Sequence, residues 1–133
     1  MTTKNVITEL DTDNLKNIIQ QIDTGINNYK GIIIKFGATW CGPCQRIKKL
    51  CDKLHMELSD DILYCDIDID DNVELYVALK SKKMINGVPT LLAYVKHNNR
   101  DMNSWYASDL SVLGSDTNNI TNFFTCIKNY KPK

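Results

Sequence analysis

The run Trp40-Cys41-Gly42-Pro43-Cys44 constrains the architecture of this chain more than any other stretch. Two cysteines with two residues between them can close a small, reversible disulfide ring. The flanks place that ring where a strand runs into a helix. Upstream, Ile32-Ile33-Ile34-Lys35-Phe36 is an apolar, β-branched run that reads as a buried strand. Downstream, Ile47, Leu50, Cys51, Leu54 and Leu58 recur at helical spacing between Gln45 and Leu58. Cys41 therefore falls at or just before the first turn of a helix, and Cys44 inside it. The unpaired N–H groups and positive dipole end of that turn stabilise a thiolate, lowering a pKa that is about 8.5 for a free thiol. Cys41 is the expected nucleophile and Cys44, one turn deeper, the expected resolving thiol.

The rest of the chain alternates strands and helices around this junction. A short strand is expected around Val6-Ile7. Asp11-Thr12-Asp13 supplies N-cap candidates for a helix with Leu15, Ile18, Ile19, Ile22 and Ile26 on one face. Ile62–Ile69 alternates apolar with polar residues and reads as a strand, and Asn72 is placed to cap a helix running to about Lys83. Asn86-Gly87-Val88-Pro89-Thr90 makes a turn into the apolar strand Leu91–Val95. A weaker strand lies within Tyr106–Leu113. Gly114-Ser115-Asp116-Thr117 then ends that strand and caps a last helix bearing Ile120, Phe123, Phe124, Ile127 and Tyr130. The order β-α-β-α-β-α-β-β-α implies a mixed sheet with helices on both faces.

At 133 residues the chain is expected to be one domain, 1–133, large enough for a proper core. Sixteen basic and sixteen acidic residues cancel, so no long-range field draws the chain to nucleic acid or to an anionic membrane. Neither partner is expected, and the chain is expected to act as a monomer. No stretch approaches the roughly 20 apolar residues of a membrane span. No apolar signal-peptide core follows Met1-Thr2-Thr3-Lys4-Asn5. Five cysteines, an odd number, do not suggest a secreted disulfide framework. The expected compartment is the cytoplasm.

This element order, with Trp40-Cys41-Gly42-Pro43-Cys44 after the second strand and Gly87-Val88-Pro89-Thr90 before the fourth, resembles the thioredoxin family from about Val6 to Tyr130. Gly114 near the end of the fifth strand matches as well. A bare C-x-x-C is shared by zinc sites and redox sites; the five-residue form combined with Val-Pro-Thr is far more specific. The resemblance implies a thioredoxin fold: a central mixed five-stranded sheet flanked by four helices, with an extended loop before the last strand. It implies a protein-disulfide reductase in which Cys41 forms a mixed disulfide with the substrate and Cys44 resolves it. Disulfide-containing proteins would be the substrates, and a thioredoxin reductase-like enzyme would restore the dithiol. The implied chemistry needs no cofactor and no metal, only the reversible Cys41–Cys44 disulfide. Gly42-Pro43 implies a potential in the reducing direction. By the same resemblance Pro89 is a cis-proline beside the dithiol, and Gly87, Val88 and Pro89 form a wall on which a substrate strand can pair. Trp40 is expected to shield the disulfide and touch substrate.

The chain departs from the family pattern at several positions. Lys35 stands six residues before Cys41, where thioredoxins usually carry a buried aspartate, and Asp66 stands where some relatives carry a lysine. A charged lysine in a core strand is costly unless paired. One reading is that Lys35 pairs with Asp66, the charges of the usual pair being swapped, so that a cation stabilises the Cys44 thiolate and Asp66 acts as base through water. The other is that Lys35 snorkels to solvent and does nothing. Gly37 replaces a large residue and would open the floor of the site. Lys49 replaces a helix-kinking proline, so the active helix is expected to run straighter. The connection before Gly114 is longer than usual, its extra residues lying around 98–107. Met102, Trp105 and Tyr106 there either form a partner contact or, as favoured, include a Trp105 that begins the fifth strand and packs in the core.

Cys51 and Cys65 read as buried, inert thiols, and Cys126 as partly exposed. A zinc site made of Cys41, Cys44, Cys51 and His55 is disfavoured, because Cys51 and His55 lie on helical turns that lead away from the loop. His55 and His97 are expected at the surface. The functional classes that remain are a dithiol reductase and a binding or accessory module built on the same fold. The intact dithiol favours the first.

Overall fold

In the computed structural model, which describes residues 5–132, the isoleucine run becomes the strand from which the rest is built. This strand, β1 (Gly31–Gly37), is buried along its whole length. It pairs in parallel with β2 (Ile62–Asp68) and antiparallel with β3 (Thr90–Val95), which pairs antiparallel with β4 (Leu110–Leu113). The sheet order is β2-β1-β3-β4.

Alternation along β1 divides the core. Ile32, Ile34 and Phe36 face α1 (Thr12–Thr24) and α4 (Val73–Ser81), meeting Leu15, Ile19 and Ile22 from the first and Leu75 and Leu79 from the second. Ile33 faces the other side, with Cys51 of α3 (Lys48–Met56) and Ile120, Phe123, Phe124 and Ile127 of α5 (Thr117–Lys128). Each fully buried Ile or Phe contributes about 1.5–3 kcal/mol, so β1 anchors both layers. The expected caps form: Asp11 accepts from the Asn14 N–H at 2.8 Å and Asp116 from the Asn119 N–H at 3.0 Å.

Several elements differ from expectation, each for a local reason. Among the described residues the sheet has four strands rather than five. The first strand shrinks to one parallel bridge, Ile7 to Cys65. Asn72 takes the backbone groups that a longer strand would need: its Oδ1 accepts from Leu10 N–H at 3.0 Å and its Nδ2 donates to the Thr8 carbonyl at 3.2 Å. For the same reason Asn72 makes no side-chain cap on α4. The active helix is split into α2 (Gly42–Arg46) and α3, so five α-helices stand where four were expected. Lys49 does not straighten it. Ile47 leaves helical geometry at φ −95°, ψ −1°, and its buried side chain is held in the second core layer. Ile26 lies past the left-handed Gly25 that ends α1 and is 74% exposed, off the core face. His55 is buried rather than at the surface, stacked on Tyr64 with ring centroids 4.2 Å apart.

The long connection between β3 and β4 is tied to the body of the protein. Arg100, its side chain 5% exposed, donates to Asp23 of α1 at 2.6 Å, to Asp109 at 3.1 Å and to the Val95 carbonyl at 2.7 Å. His97, half-buried, lies 3.3 Å from Asp109. Trp105 does not begin the last strand, which starts at Leu110; it packs half-buried against the first core layer together with Tyr106. The Tyr94 hydroxyl donates to the Tyr106 carbonyl at 2.8 Å.

Removing the cation from this network leaves two facing carboxylates partly buried. Arg100→Met is expected to lower stability by about 3 kcal/mol, measured by urea unfolding monitored by circular dichroism. A loss under about 0.5 kcal/mol would mean that the network is a surface decoration.

Candidate active site

The path from β1 into α2 sets the two sulfurs. After Gly37 the chain turns through buried Ala38, whose carbonyl accepts from the Cys41 N–H at 3.2 Å. Cys41 is the N-cap of α2, with extended backbone (φ −90°, ψ 109°). Its Sγ occupies the place that a Ser or Asp oxygen takes at other helix starts, and accepts from the Cys44 N–H at 3.2 Å. Pro43 sits in the first turn, where no N–H is needed. Cys41 and Cys44 are joined by a disulfide with Cα atoms 5.2 Å apart, and both residues are buried. The break at Ile47 leaves α2 only five residues long. Stabilisation of sulfur charge at Cys41 therefore comes from the aimed Cys44 N–H more than from a long helix dipole, whose influence is confined to the first turn in any case.

The Val88–Pro89 peptide bond is cis. The Val88 carbonyl oxygen lies 3.7 Å from Cys41 Sγ, and the Pro89 carbonyl accepts from the Gly114 N–H at 2.9 Å. Pro89 is buried while Gly87 and Val88 are half-buried, so Val88 presents the open part of this wall. Trp40 is 66% exposed beside the pair, its Nε1 donating to Asp70 Oδ2 at 2.9 Å. Sequence reasoning does not find Asp70. The one signal for it is its position two residues beyond the end of β2, where its own N–H is fixed by Asp68 Oδ1 at 2.8 Å.

Lys35 and Asp66 are Cα partners in the β1–β2 ladder. Lys35 Nζ lies 3.6 Å from Asp66 Oδ1, with the lysine side chain 6% exposed and the aspartate 34%. Lys35 thus does not snorkel. The pair opens into a cavity of about 620 Å³ that Gly37 and Cys44 also line. A Cβ added to Gly37 would lie 3.4 Å from Cys44 Sγ, so the glycine lets this sulfur rest close to the strand end.

The remaining cysteines are chemically quiet or remote. Burial pushes the Cys51 thiol up to about 11, against an opposing pull from Lys35, and pushes the Cys65 thiol up to about 12. Cys126 is exposed on α5. Cys51 and His55 turn inward against the sheet and Tyr64, away from the disulfide loop.

A thioredoxin family model matches residues 6–111. The chain is similar to the H-type thioredoxin of Chlamydomonas reinhardtii, 30% identical over 74 residues, which make up 56% of this chain and 62% of that protein. It is also similar to the thioredoxin of Bacillus subtilis, 34% identical over 61 residues, 46% of this chain and 55% of that one. The chain therefore spans a little over half the length of these curated relatives. Among solved structures, Trichomonas vaginalis thioredoxin superposes with a TM-score of 0.65 at 22% identity, covering 92% of this chain and 97% of that one. Halobacterium salinarum thioredoxin, as an N21Q mutant, gives 0.61 at 21%, covering 99% of each.

The thiol environments separate by pH. With both pKa values raised, Cys51 and Cys65 stay protonated in the fold well above pH 9 and form thiolate only toward pH 11–12. In the reduced, native protein at pH 8, iodoacetamide is expected to modify Cys41 and Cys126 and to leave Cys51 and Cys65 unmodified until the chain unfolds. Mass spectrometry of peptides checks this. Labelling of Cys51 at pH 8 without unfolding would contradict the burial argument.

Proposed function

The chain belongs to the thioredoxin family, and from that premise we propose that it is a protein-disulfide reductase working by dithiol–disulfide exchange. The observation that carries this reading is the Cys41 sulfur at a helix N-cap, bonded to Cys44 and facing the Val88 carbonyl at 3.7 Å. In the reduced form, the Cys41 thiolate attacks a sulfur of a substrate disulfide. A bond forms between Cys41 and that sulfur, and the other substrate sulfur leaves as a thiolate and takes a proton. The Cys44 thiol then loses its proton and attacks Cys41 Sγ. The Cys41–Cys44 disulfide forms and the second substrate thiol is released. Two electrons have passed from the dithiol to the substrate.

The backbone beside Val88, with Gly87 and Pro89, supplies the edge on which an extended substrate segment pairs. Trp40, held sideways by Asp70, supplies an exposed aromatic contact next to the sulfurs. Gly42 and Pro43 keep the ring short. The reaction needs no cofactor beyond the two sulfurs, and a thioredoxin reductase-like enzyme would return the electrons. We place the protein as a monomer in the cytoplasm. Among the described residues, no helix is long and apolar enough to cross a membrane. The longer connection before β4, which would favour a binding module, is fastened down by Arg100 and so gives that reading little support.

Insulin reduction by dithiothreitol, followed by turbidity, tests the proposal. The wild type is expected to accelerate precipitation and Cys41→Ser to lose at least about 10²-fold of the rate. Cys44→Ser is expected to accumulate a mixed disulfide with substrate, visible on a non-reducing gel. A Cys41→Ser protein as active as the wild type would refute the enzyme reading.

A further inference from the structure

We propose that Lys35 is a positioning residue for the second exchange step, a buried ammonium that favours the Cys44 thiolate, and that Asp66 anchors it and carries the released proton to solvent. The inference rests on the dithiol reading above and assigns the one step which that reading leaves without a proton path.

Four observations carry it. Lys35 is 4% exposed although it is charged and lies in the central strand. Alternation puts it in the same row as Ile33, on the face that α3 and α5 cover. Its ammonium and Cys44 line one cavity of about 620 Å³, with the glycine at position 37 leaving the sulfur uncovered on that side. Asp66 sits across the ladder at 3.6 Å and is one-third exposed, so it touches both the buried cation and bulk water.

The separation within the pair matters. A charge-assisted N–H···O bond is about 2.7–2.9 Å long; at 3.6 Å the carboxylate offsets part of the lysine's field, and because it is one-third exposed solvent screens its share more than that of the buried ammonium. The other charged groups lining the cavity are Glu9 from the N-terminal segment, Asp68 on β2, Asp71 just after it and Lys48 on α3. Glu9, Lys48 and Asp71 are exposed and Asp68 is half-buried, so solvent and salt screen them far more than the buried Lys35. Lys35 already acts on a thiol from this position: it is the group that opposes burial at Cys51, the cysteine of α3 beneath the same sheet face.

The step balances as follows. The proton on Cys44 Sγ passes through water in the cavity to Asp66 Oδ1 and from there to bulk solvent. The Cys44 electron pair forms the bond to Cys41 Sγ, and the bond from Cys41 to the substrate sulfur breaks, its electron pair leaving with the substrate as a thiolate. Lys35 gives up no proton. It lowers the energy of the negative charge while that charge sits on Cys44.

The test isolates Cys44 in a Cys41→Ser background and follows iodoacetamide alkylation of Cys44 against pH. Lys35→Met is expected to slow alkylation at pH 7 about tenfold and to move the profile to higher pH, the two proteins converging in strong alkali. Lys35→Arg keeps the charge and is expected to stay within about threefold of the lysine protein. Removing one member of a buried pair destabilises the fold, so circular dichroism checks that Lys35→Met is folded before its profile is read. Should Lys35→Met fail to fold, Asp66→Asn decides: it keeps the ammonium and removes a nearby negative charge, so its profile is expected to stay in place or move to lower pH. Superimposable profiles for Lys35 and Lys35→Met, or a shift to higher pH in Asp66→Asn, would overturn the proposal. Insulin reduction by the wild type is measured alongside. Its absence would sink the reductase reading, whereas normal reduction with unmoved profiles would sink only this one.

Discussion

The two-sided pairing of β1 is the constraint from which the rest of the structure follows. Its residues are partnered on one side by β2 in parallel and on the other by β3 antiparallel, and every position is buried. Register in such a strand is fixed strongly, because a slip of one residue would turn each isoleucine to the opposite layer. That register does chemical as well as structural duty. It sets Lys35 opposite Asp66 in one ladder and Phe36 opposite Thr90 in the other. The second pairing brings the cis Val88–Pro89 peptide alongside the end of β1, where the chain leaves for Cys41. The disulfide that follows β1, the Val88–Pro89 segment that precedes β3 and the ion pair between β1 and β2 thus share one origin.

A charged lysine at such a position is the least expected consequence of the packing. Burial of an ion costs several kcal/mol before any compensation, and replacing such pairs with apolar residues is often neutral or stabilising. Two features reduce the cost here. Lys35 is close to the C-terminal end of β1, next to a cavity rather than under the centre of α5. Its partner keeps a third of its side chain in solvent, so only one of the two ions is fully removed from water. What remains is still a charge that packing alone does not require, and it lines the same cavity as Cys44.

Much of this was legible in the sequence, and the parts that were not share a cause. Periodicity and apolar runs located β1 to β3, α1 and α5, because each has one clear apolar face or is buried throughout, whereas β4 read only as a weaker strand within 106–113 and α4 only from its Asn72 start. The capping roles of Asp11 and Asp116 followed from local chemistry, as did the N-cap place of Cys41. The Lys35–Asp66 pairing was one of two readings, suggested by the resemblance with its charges swapped, and the 3.6 Å contact selects it over a snorkelling lysine. Two of the unread features depend on partners far away along the chain. Asn72 looks like a helix cap until Leu10, 62 residues earlier, takes its carbonyl oxygen. Arg100 looks like a loop charge until it meets Asp23, 77 residues away. His55 reads as a surface residue, yet Tyr64 on β2 gives it a ring to stack on. The break at Ile47 occurs without a proline, at a residue whose side chain is buried in the second core layer.

The dithiol consequently has two faces with different chemistry. On the front, Cys41 looks onto the Val88 carbonyl and lies beside the exposed Trp40, a surface of backbone acceptor and aromatic ring that suits an extended polypeptide. On the back, Cys44 looks into a cavity bounded by a glycine, a buried ammonium and a half-open carboxylate. The back is a cavity of about 620 Å³ that reaches the surface at Glu9, Lys48 and Asp71. In the exchange proposed above, a substrate lying on the front would leave this cavity open. A Cβ at position 37 would meet Cys44 Sγ at 3.4 Å, an ordinary contact distance, so only a longer side chain there would take up the cavity beside the sulfur. In the proposed second step the glycine and the lysine, two residues apart on one strand, act together, the first leaving room for water beside Cys44 and the second favouring its thiolate.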